Sequence, residues 1–203
     1  MGASDTTSTS MEWLMAELIK NPRVMKKAQE EVRRVVGHKR KISMDDINGM
    51  DYLKCVIKEN LRLHPPVPLL VARKTSASVE VGGYKVPANV NVLINAWKIH
   101  RSSSLWDRPV EFLPERFQNN PLDFKLGQDF DFVPFGSGRR GCPGLLFGIA
   151  TIEFVIANLL YWFDWKLTSD AGLPEDLDMS EVNGLTVQKK VPLNLVPLFH
   201  SPA

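Results

Sequence analysis

Residues Phe135-Gly-Ser-Gly-Arg-Arg-Gly-Cys-Pro-Gly144 decide how the rest of the chain is read. Four glycines in ten residues let a backbone turn sharply and come close to something large. Pro143 suits the first position of a helix, where its fixed φ fits and its missing N–H has no helical partner. From Leu145 to Phe163 the sequence is almost wholly apolar, so a long helix is expected to start just after the loop. Cys142 therefore stands where a helix begins, with free backbone N–H groups and the positive dipole end stabilising a thiolate. A thiolate is the form that a nucleophile or a metal ligand requires. Arg139 and Arg140 beside it can neutralise anionic groups on a bound cofactor. Read alone, Cys142 also fits the ordinary fate of a lone cysteine, a small apolar residue capping a core helix.

Working outward, the composition narrows the alternatives. The 203 residues suffice for one sizeable domain, and 44% apolar with 24% charged residues is ordinary for a globular protein. A net charge of +2 gives no argument for a nucleic-acid partner. Cys55 and Cys142 are the two cysteines, in separate elements and without metal-finger spacing, which suits a reducing compartment. His38, His64, His100 and His200 share no ligand spacing. The Leu145–Phe163 run is just long enough for a membrane span, which needs ~20 apolar residues. Glu153 near its middle would cost roughly 2.5–3.5 kcal/mol on insertion scales. A helix apolar all round reads more simply as the buried central helix of the domain.

Upstream, Gly2-Ala-Ser-Asp-Thr-Thr7 runs into an amphipathic stretch from Ser10 to Ile19, with Thr9-Ser-Met-Glu12 as a candidate capping box. Asn21-Pro22 reads as a cap followed by proline at the first helical position. The next helix carries Met25, Ala28, Val32 and Val35 on one stripe, and its charged residues read as a solvated face. Asp51 is expected to cap a helix that Pro65-Pro66 stops after Leu63. On that helix Tyr52, Cys55, Val56, Glu59 and Leu63 share one arc, with Arg62 at its edge. A carboxylate on an apolar face must find partners. Pro68 to Val71 is expected to be a strand, Val79 to Val86 a hairpin turning on Gly82-Gly83, and Val90 to Asn95 a further strand. Residues 97–134 are aromatic-rich and weakly periodic, a stretch that needs a reason to be ordered. Beyond Phe163, Pro174 and Asn183-Gly184 punctuate short strands ending at Phe199.

Phe135, Gly138, Arg140, Cys142 and Gly144 together match Phe-x-x-Gly-x-Arg-x-Cys-x-Gly, and in this the chain resembles the cytochromes P-450. Three further stretches carry the same resemblance. Ala3-Ser-Asp5-Thr6 is similar to that family's oxygen-activation segment, with Ala3 at a position usually held by glycine. Glu59-x-x-Arg62 and Pro114-Glu-Arg116-Phe117 match its buried Glu–Arg–Arg network. The resemblance is strongest to the plant-type microsomal branch and extends over essentially the whole chain.

The resemblance implies a mainly α fold with small β-sheets, the C-terminal haem-binding half of the P-450 fold, with residues 1–203 as one partial domain. It implies haem b held through Cys142, with Ala3, Arg73, Phe135, Arg140 and Gly144 at the cofactor and Arg73 and Arg140 on its propionates. It assigns proton delivery to Asp5 and Thr6, and structural locking to Glu59, Arg62 and Arg116. Val67, Leu70, Leu185 and Thr186 become possible substrate contacts. The implied reaction is O2-dependent hydroxylation of a small apolar substrate, driven by NADPH through a flavoprotein reductase, on the cytosolic face of the endoplasmic reticulum. Members of the family are more than twice as long, so the alternative expectation is an incomplete product that binds haem weakly or not at all. In that case apolar helix faces, Leu145–Phe163 among them, are left without partners.

Overall fold

The computed structural model describes residues 2–124, 129–168 and 172–201. Helix α1 spans Ser4–Lys20, with Asp5 in its first turn and Lys20 in its last, both charges suited to the helix dipole. It starts earlier than expected, so the Thr9–Glu12 capping box does not form. Thr9 and Ser10 are buried inside the helix, and the Ser10 hydroxyl donates to the Thr6 carbonyl one turn back. Pro22 ends α1 by pushing Asn21 out of helical geometry, to φ −119° and ψ 74°. Asn21 makes no side-chain cap for the following helix; its amide turns back to the Glu17 carbonyl.

Helix α2 spans Pro22–Val36 and buries Met25, Ala28, Val32 and Val36, one residue later at its end than the expected Val35. Helix α3 (Met44–Asn48) opens on a capping box between Ser43 and Asp46. Helix α4 runs from Asp51 to Leu63 as expected, but Asp51 does not cap it. Glu31 of α2 does so instead, accepting from the N–H groups of Tyr52 and Leu53 at 2.9 and 2.8 Å. Two orphan donors of one helix are thus satisfied by a carboxylate from another.

Among the described residues, four antiparallel ribbons of two strands each follow. Strand β1 (Arg73–Lys74) pairs with β4 (Asn91–Val92), and β2 (Val79–Val81) pairs with β3 (Tyr84–Val86). Gly82 and Gly83, at φ 56° and 82°, make the tight turn the sequence requires. The expected strand at 68–71 is absent. Leu70 adopts φ 52° and its N–H closes a turn on the Val67 carbonyl, so the apolar run bends. The strand expected over 90–95 is reduced to β4. A short helix, α5 (Ala96–Ile99), then precedes the irregular stretch, where Pro114–Phe117 forms a 3-10 turn. Strand β5 (Phe163–Leu167) pairs with β8 (Leu195–Phe199), and β6 (Glu181–Val182) with β7 (Gln188–Lys189).

Helix α6 covers Leu145–Trp162. By length and composition alone it could cross a membrane, yet its C-terminal half buries Ile152, Ile156, Ala157, Leu160 and Tyr161 in the core. It is not the buried central helix that its hydropathy suggests. Leu146 is 82% and Phe147 71% exposed, so one end and one face are uncovered. Burial raises the Glu153 carboxyl above the usual range, opposed by Lys54 and Lys58. The central position belongs to α4, which packs on α1, α2, α6 and the Pro114–Phe117 turn and buries ten of its 13 residues.

Candidate functional site

The site is built from the polar centre of α4 outward. Glu59 and Arg62 have no solvent-exposed surface. Arg62 reaches Glu59 through Nε at 2.8 Å and Nη2 at 2.9 Å, a bidentate pair one helical turn apart. Its remaining donors go to main-chain carbonyls, His100 at 2.6 Å, Pro109 at 2.7 Å and Glu111 at 3.1 Å. Arg116 completes the network with Nε on Glu59 at 3.0 Å and its other nitrogens on the carbonyls of Asp107, Arg108 and Glu111. The Leu113 N–H also donates to Glu59, at 2.8 Å. The charges are thus fully paired, as burial at this depth requires.

His100 extends this lock to the cysteine loop. Its Nε2 accepts the N–H of Val133 at 2.9 Å, two residues before Phe135. Burial, reinforced by the neighbouring Arg62 charge, lowers its pKa to about 3, so the ring is neutral and Nε2 is free to accept. Packing runs in parallel with the hydrogen bonds. Phe132 packs at a tilt against Phe117 and Phe124, with centroids 5.1 and 5.6 Å apart, and Phe124 meets Phe135 edge-on at 5.5 Å. This aromatic ladder gives the described part of the irregular stretch its reason to be ordered, although Trp97 and Phe130 lie outside it, exposed.

The loop itself turns through Gly136 and Gly138, at φ 71° and 67°, where any other residue would be strained. The Cys142 N–H closes it by donating to the Phe135 carbonyl at 2.9 Å. Cys142 is a free, half-buried thiol. Pro143 lies outside the helix, not at its first position, and Gly144 is the N-cap of α6. A Cβ on Gly144 would stand 3.9 Å from the Cys142 sulfur, so glycine keeps that side of the sulfur open.

Arg73 lies against this loop. Its Nη2 donates to the Arg140 carbonyl at 3.2 Å, and the same atom would stand 4.0 Å from a Cβ on Gly136. Its Nε is buried without a hydrogen-bond partner. A buried guanidinium N–H without an acceptor, on an arginine held against the cysteine loop, fits an anionic group completing the site. The Arg140 side chain is exposed and available to the same group. Leu70 also approaches the loop, with its Cδ1 3.7 Å from the position of a Gly136 Cβ.

Leu70 and Val67 line a cavity of about 380 Å³ with Leu93 and the tip Gly184-Leu185 of the β6–β7 hairpin. Three of the four expected substrate contacts therefore meet in one place, while Thr186 is outside the lining. Asp5 and Thr6 make their side-chain contacts within α1 and the two residues before it. Ser4 donates to the Asp5 carboxylate at 3.1 Å, and the Thr6 hydroxyl donates to the Gly2 carbonyl at 2.7 Å. Ala3 is the exposed N-cap of that helix. The spacing rules missed Glu31 and His100, whose partners lie 21 and 33 residues away.

A sequence model of the family described as Cytochrome P450 matches residues 1–194. Phenylacetaldehyde oxime monooxygenase CYP71AN24 of Prunus mume is 58% identical over 203 residues, 100% of this chain and 38% of the relative. Cytochrome P450 71A1 of Persea americana is 57% identical over 199 residues, 98% of this chain and 39% of the relative. A zebra fish cytochrome P450 solved with progesterone superimposes with a TM-score of 0.86 at 28% identity, over 97% of this chain and 44% of its own. The chain thus spans about two fifths of the length of these curated relatives. Matched along nearly its whole length by the family's sequence and by its fold, the chain belongs to the cytochrome P450 family, whose cofactor is haem.

Proposed function

We propose that this chain is the haem-binding part of a monooxygenase that hydroxylates a small apolar molecule, with electrons from NADPH relayed by a flavoprotein reductase. The observation that carries this reading is the loop around Cys142, where a free thiol faces an open glycine and a buried arginine nitrogen lacks a partner. These residues fit the family's cofactor: Cys142 would ligate the iron, and Arg73 and Arg140 would pair with the propionates. When bound, haem supplies one-electron chemistry and dioxygen activation, and a thiolate ligand favours O–O cleavage.

The chain's own residues would do the rest. Phe135, packed on Phe124, shields the loop from water. The Thr6 hydroxyl donates to the Gly2 carbonyl and its oxygen can accept a hydrogen bond; to hand on a proton it would turn its O–H from Gly2 towards the pocket and take a replacement from its own donor. Asp5, exposed one residue earlier, can recharge that relay from solvent. The Val67–Ala72 turn and Leu185 offer an apolar wall that holds a substrate by burial and not by charge. A small apolar substrate is in keeping with the name of the Prunus relative, an oxime monooxygenase. The resemblance to the plant-type microsomal branch leads us to place the complete enzyme on the cytosolic face of the endoplasmic reticulum.

The test is the reduced carbon monoxide spectrum of the haem-supplied protein. Cys142→Ser removes the thiolate-type signal and Cys55→Ser keeps it; an unchanged spectrum in Cys142→Ser sinks the assignment. A second reading, that these 203 residues by themselves bind haem weakly and do not turn over, is favoured by the uncovered Leu146 and Phe147 of α6. It predicts little carbonyl signal in the unmutated chain unless the remaining length of the family's sequence is supplied.

A further inference from the structure

Trp13 is 1% exposed, yet it does more than fill the core. Its indole N–H donates to the main-chain carbonyl of Val187 at 3.0 Å. The ring lies flat on the imidazole of His64, with centroids 4.2 Å apart and planes within 3°. His64 is itself fixed, with Nε2 2.7 Å from a Glu17 oxygen on α1 and Nδ1 3.9 Å from Glu181 on β6. The Val187 N–H donates to the Pro66 carbonyl at 3.0 Å. Val187 is therefore held on one side by α1 and on the other by the segment that ends α4.

Two residues before this anchor stands Leu185, 81% exposed and one wall of the cavity. The turn over 184–186 is tight, because a Cβ on Gly184 would come within 3.1 Å of the Thr186 carbonyl oxygen. With one residue between them, the position of Leu185 depends on where Val187 is held. The other end of the clamp is equally telling. Trp13 follows Thr6 by seven residues, which places both on one face of α1, about 10 Å apart along its axis. The hairpin tip is thus registered against the same helix that carries the proposed proton relay.

We infer that Trp13, braced by His64, is a positioning residue for substrate selectivity, setting where Leu185 stands over the cavity relative to Thr6. It touches neither substrate nor cofactor. The inference rests on the cavity being the substrate site of a haem enzyme, as proposed above.

Trp13→Phe keeps an aromatic face for His64 while removing the N–H together with part of the buried indole, and Trp13→Ala removes the ring as well. Two readouts are taken on the full-length haem protein that carries this segment. The first is amide hydrogen exchange over 181–189, which needs no haem. The second is the dissociation constant of 4-phenylimidazole, bulky enough to report on the cavity, against that of imidazole, which reports on the iron alone. Trp13→Phe is expected to speed exchange in the hairpin at least about fivefold, the worth of the lost neutral hydrogen bond alone. It should weaken 4-phenylimidazole by a similar factor and leave imidazole binding and the carbonyl spectrum unchanged, with Trp13→Ala larger on both counts. Unchanged hairpin exchange in Trp13→Phe overturns the clamp. Parallel weakening of both imidazoles overturns the selectivity role, because Trp13 would then support the iron side. If the parent protein binds no imidazole at all, the haem reading beneath the inference fails, while the exchange measurement still decides the clamp.

Discussion

Replacing Arg62 by lysine puts the buried lock to its hardest test. Arg62 donates five hydrogen bonds from a fully buried position, two to Glu59 and three to the carbonyls of His100, Pro109 and Glu111. A lysine carries its charge at one nitrogen and cannot span a carboxylate and three divergent carbonyls. At best it keeps one bond to Glu59 and one or two carbonyls, leaving the others buried and unsatisfied at ~1–3 kcal/mol each. Arg116 still holds Glu59, so the carboxylate is not stranded. A total of ~3–5 kcal/mol matches the usual cost of breaking a buried pair. For a domain of this size each kcal/mol moves the melting temperature by ~2–4 °C. Thermal unfolding followed by circular dichroism should therefore show a fall of ~6–20 °C, which accords with these two ranges. An exposed pair is worth under ~1 kcal/mol. A melting temperature within ~2 °C of the parent would mean that the network bears no load.

Other outcomes follow from the same geometry. His100 has a pKa of about 3 when folded against an ordinary value of 6.5, so between those values the unfolded chain holds a proton that the folded chain refuses. Stability should accordingly fall as pH drops below 6.5, by ~1.4 kcal/mol per unit from this group, and level off near 3. Urea midpoints should show this slope flattened in His100→Gln, and an identical slope in that variant would count against the buried neutral ring. In a complete enzyme carrying this segment, Thr6→Ala should keep haem and substrate binding while releasing more hydrogen peroxide per NADPH consumed. Unaltered coupling removes Thr6 from proton delivery. Leu146→Ser with Phe147→Ser should reduce self-association of the isolated chain in light scattering, because it removes an uncovered apolar end. A monodisperse parent would refute that expectation.

Features written at short spacing were legible in the sequence. The cysteine loop, the Glu59/Arg62 pair and the Gly82-Gly83 hairpin each depend on residues no more than ten positions apart. What was illegible couples distant positions. Glu31 caps a helix that begins 20 residues later, His100 braces Val133, and Trp13 holds a carbonyl 174 residues away. No local pattern encodes those partners. Apolar runs misled in two ways. At 68–71 the residues favour a strand, but a left-handed Leu70 and its turn onto Val67 bend the chain. In α6, hydropathy reports how apolar the helix is and not which side is covered.

The grip of Arg62 and Arg116 on the stretch from Asp107 to Glu111 falls on main-chain carbonyls, and Glu59 holds Leu113 by its N–H. Carbonyls are common to all residue types, so the lock is blind to side-chain identity along this stretch while being strict about register. Substitutions at Asp107 or Glu111 keep every one of these bonds, whereas insertion or deletion of a single residue moves several acceptors at once. Arg108, at φ 43°, is an exception, since glycine or asparagine would suit it better and β-branched residues would be strained. Natural variants of this segment should therefore diverge freely in composition and hardly at all in length.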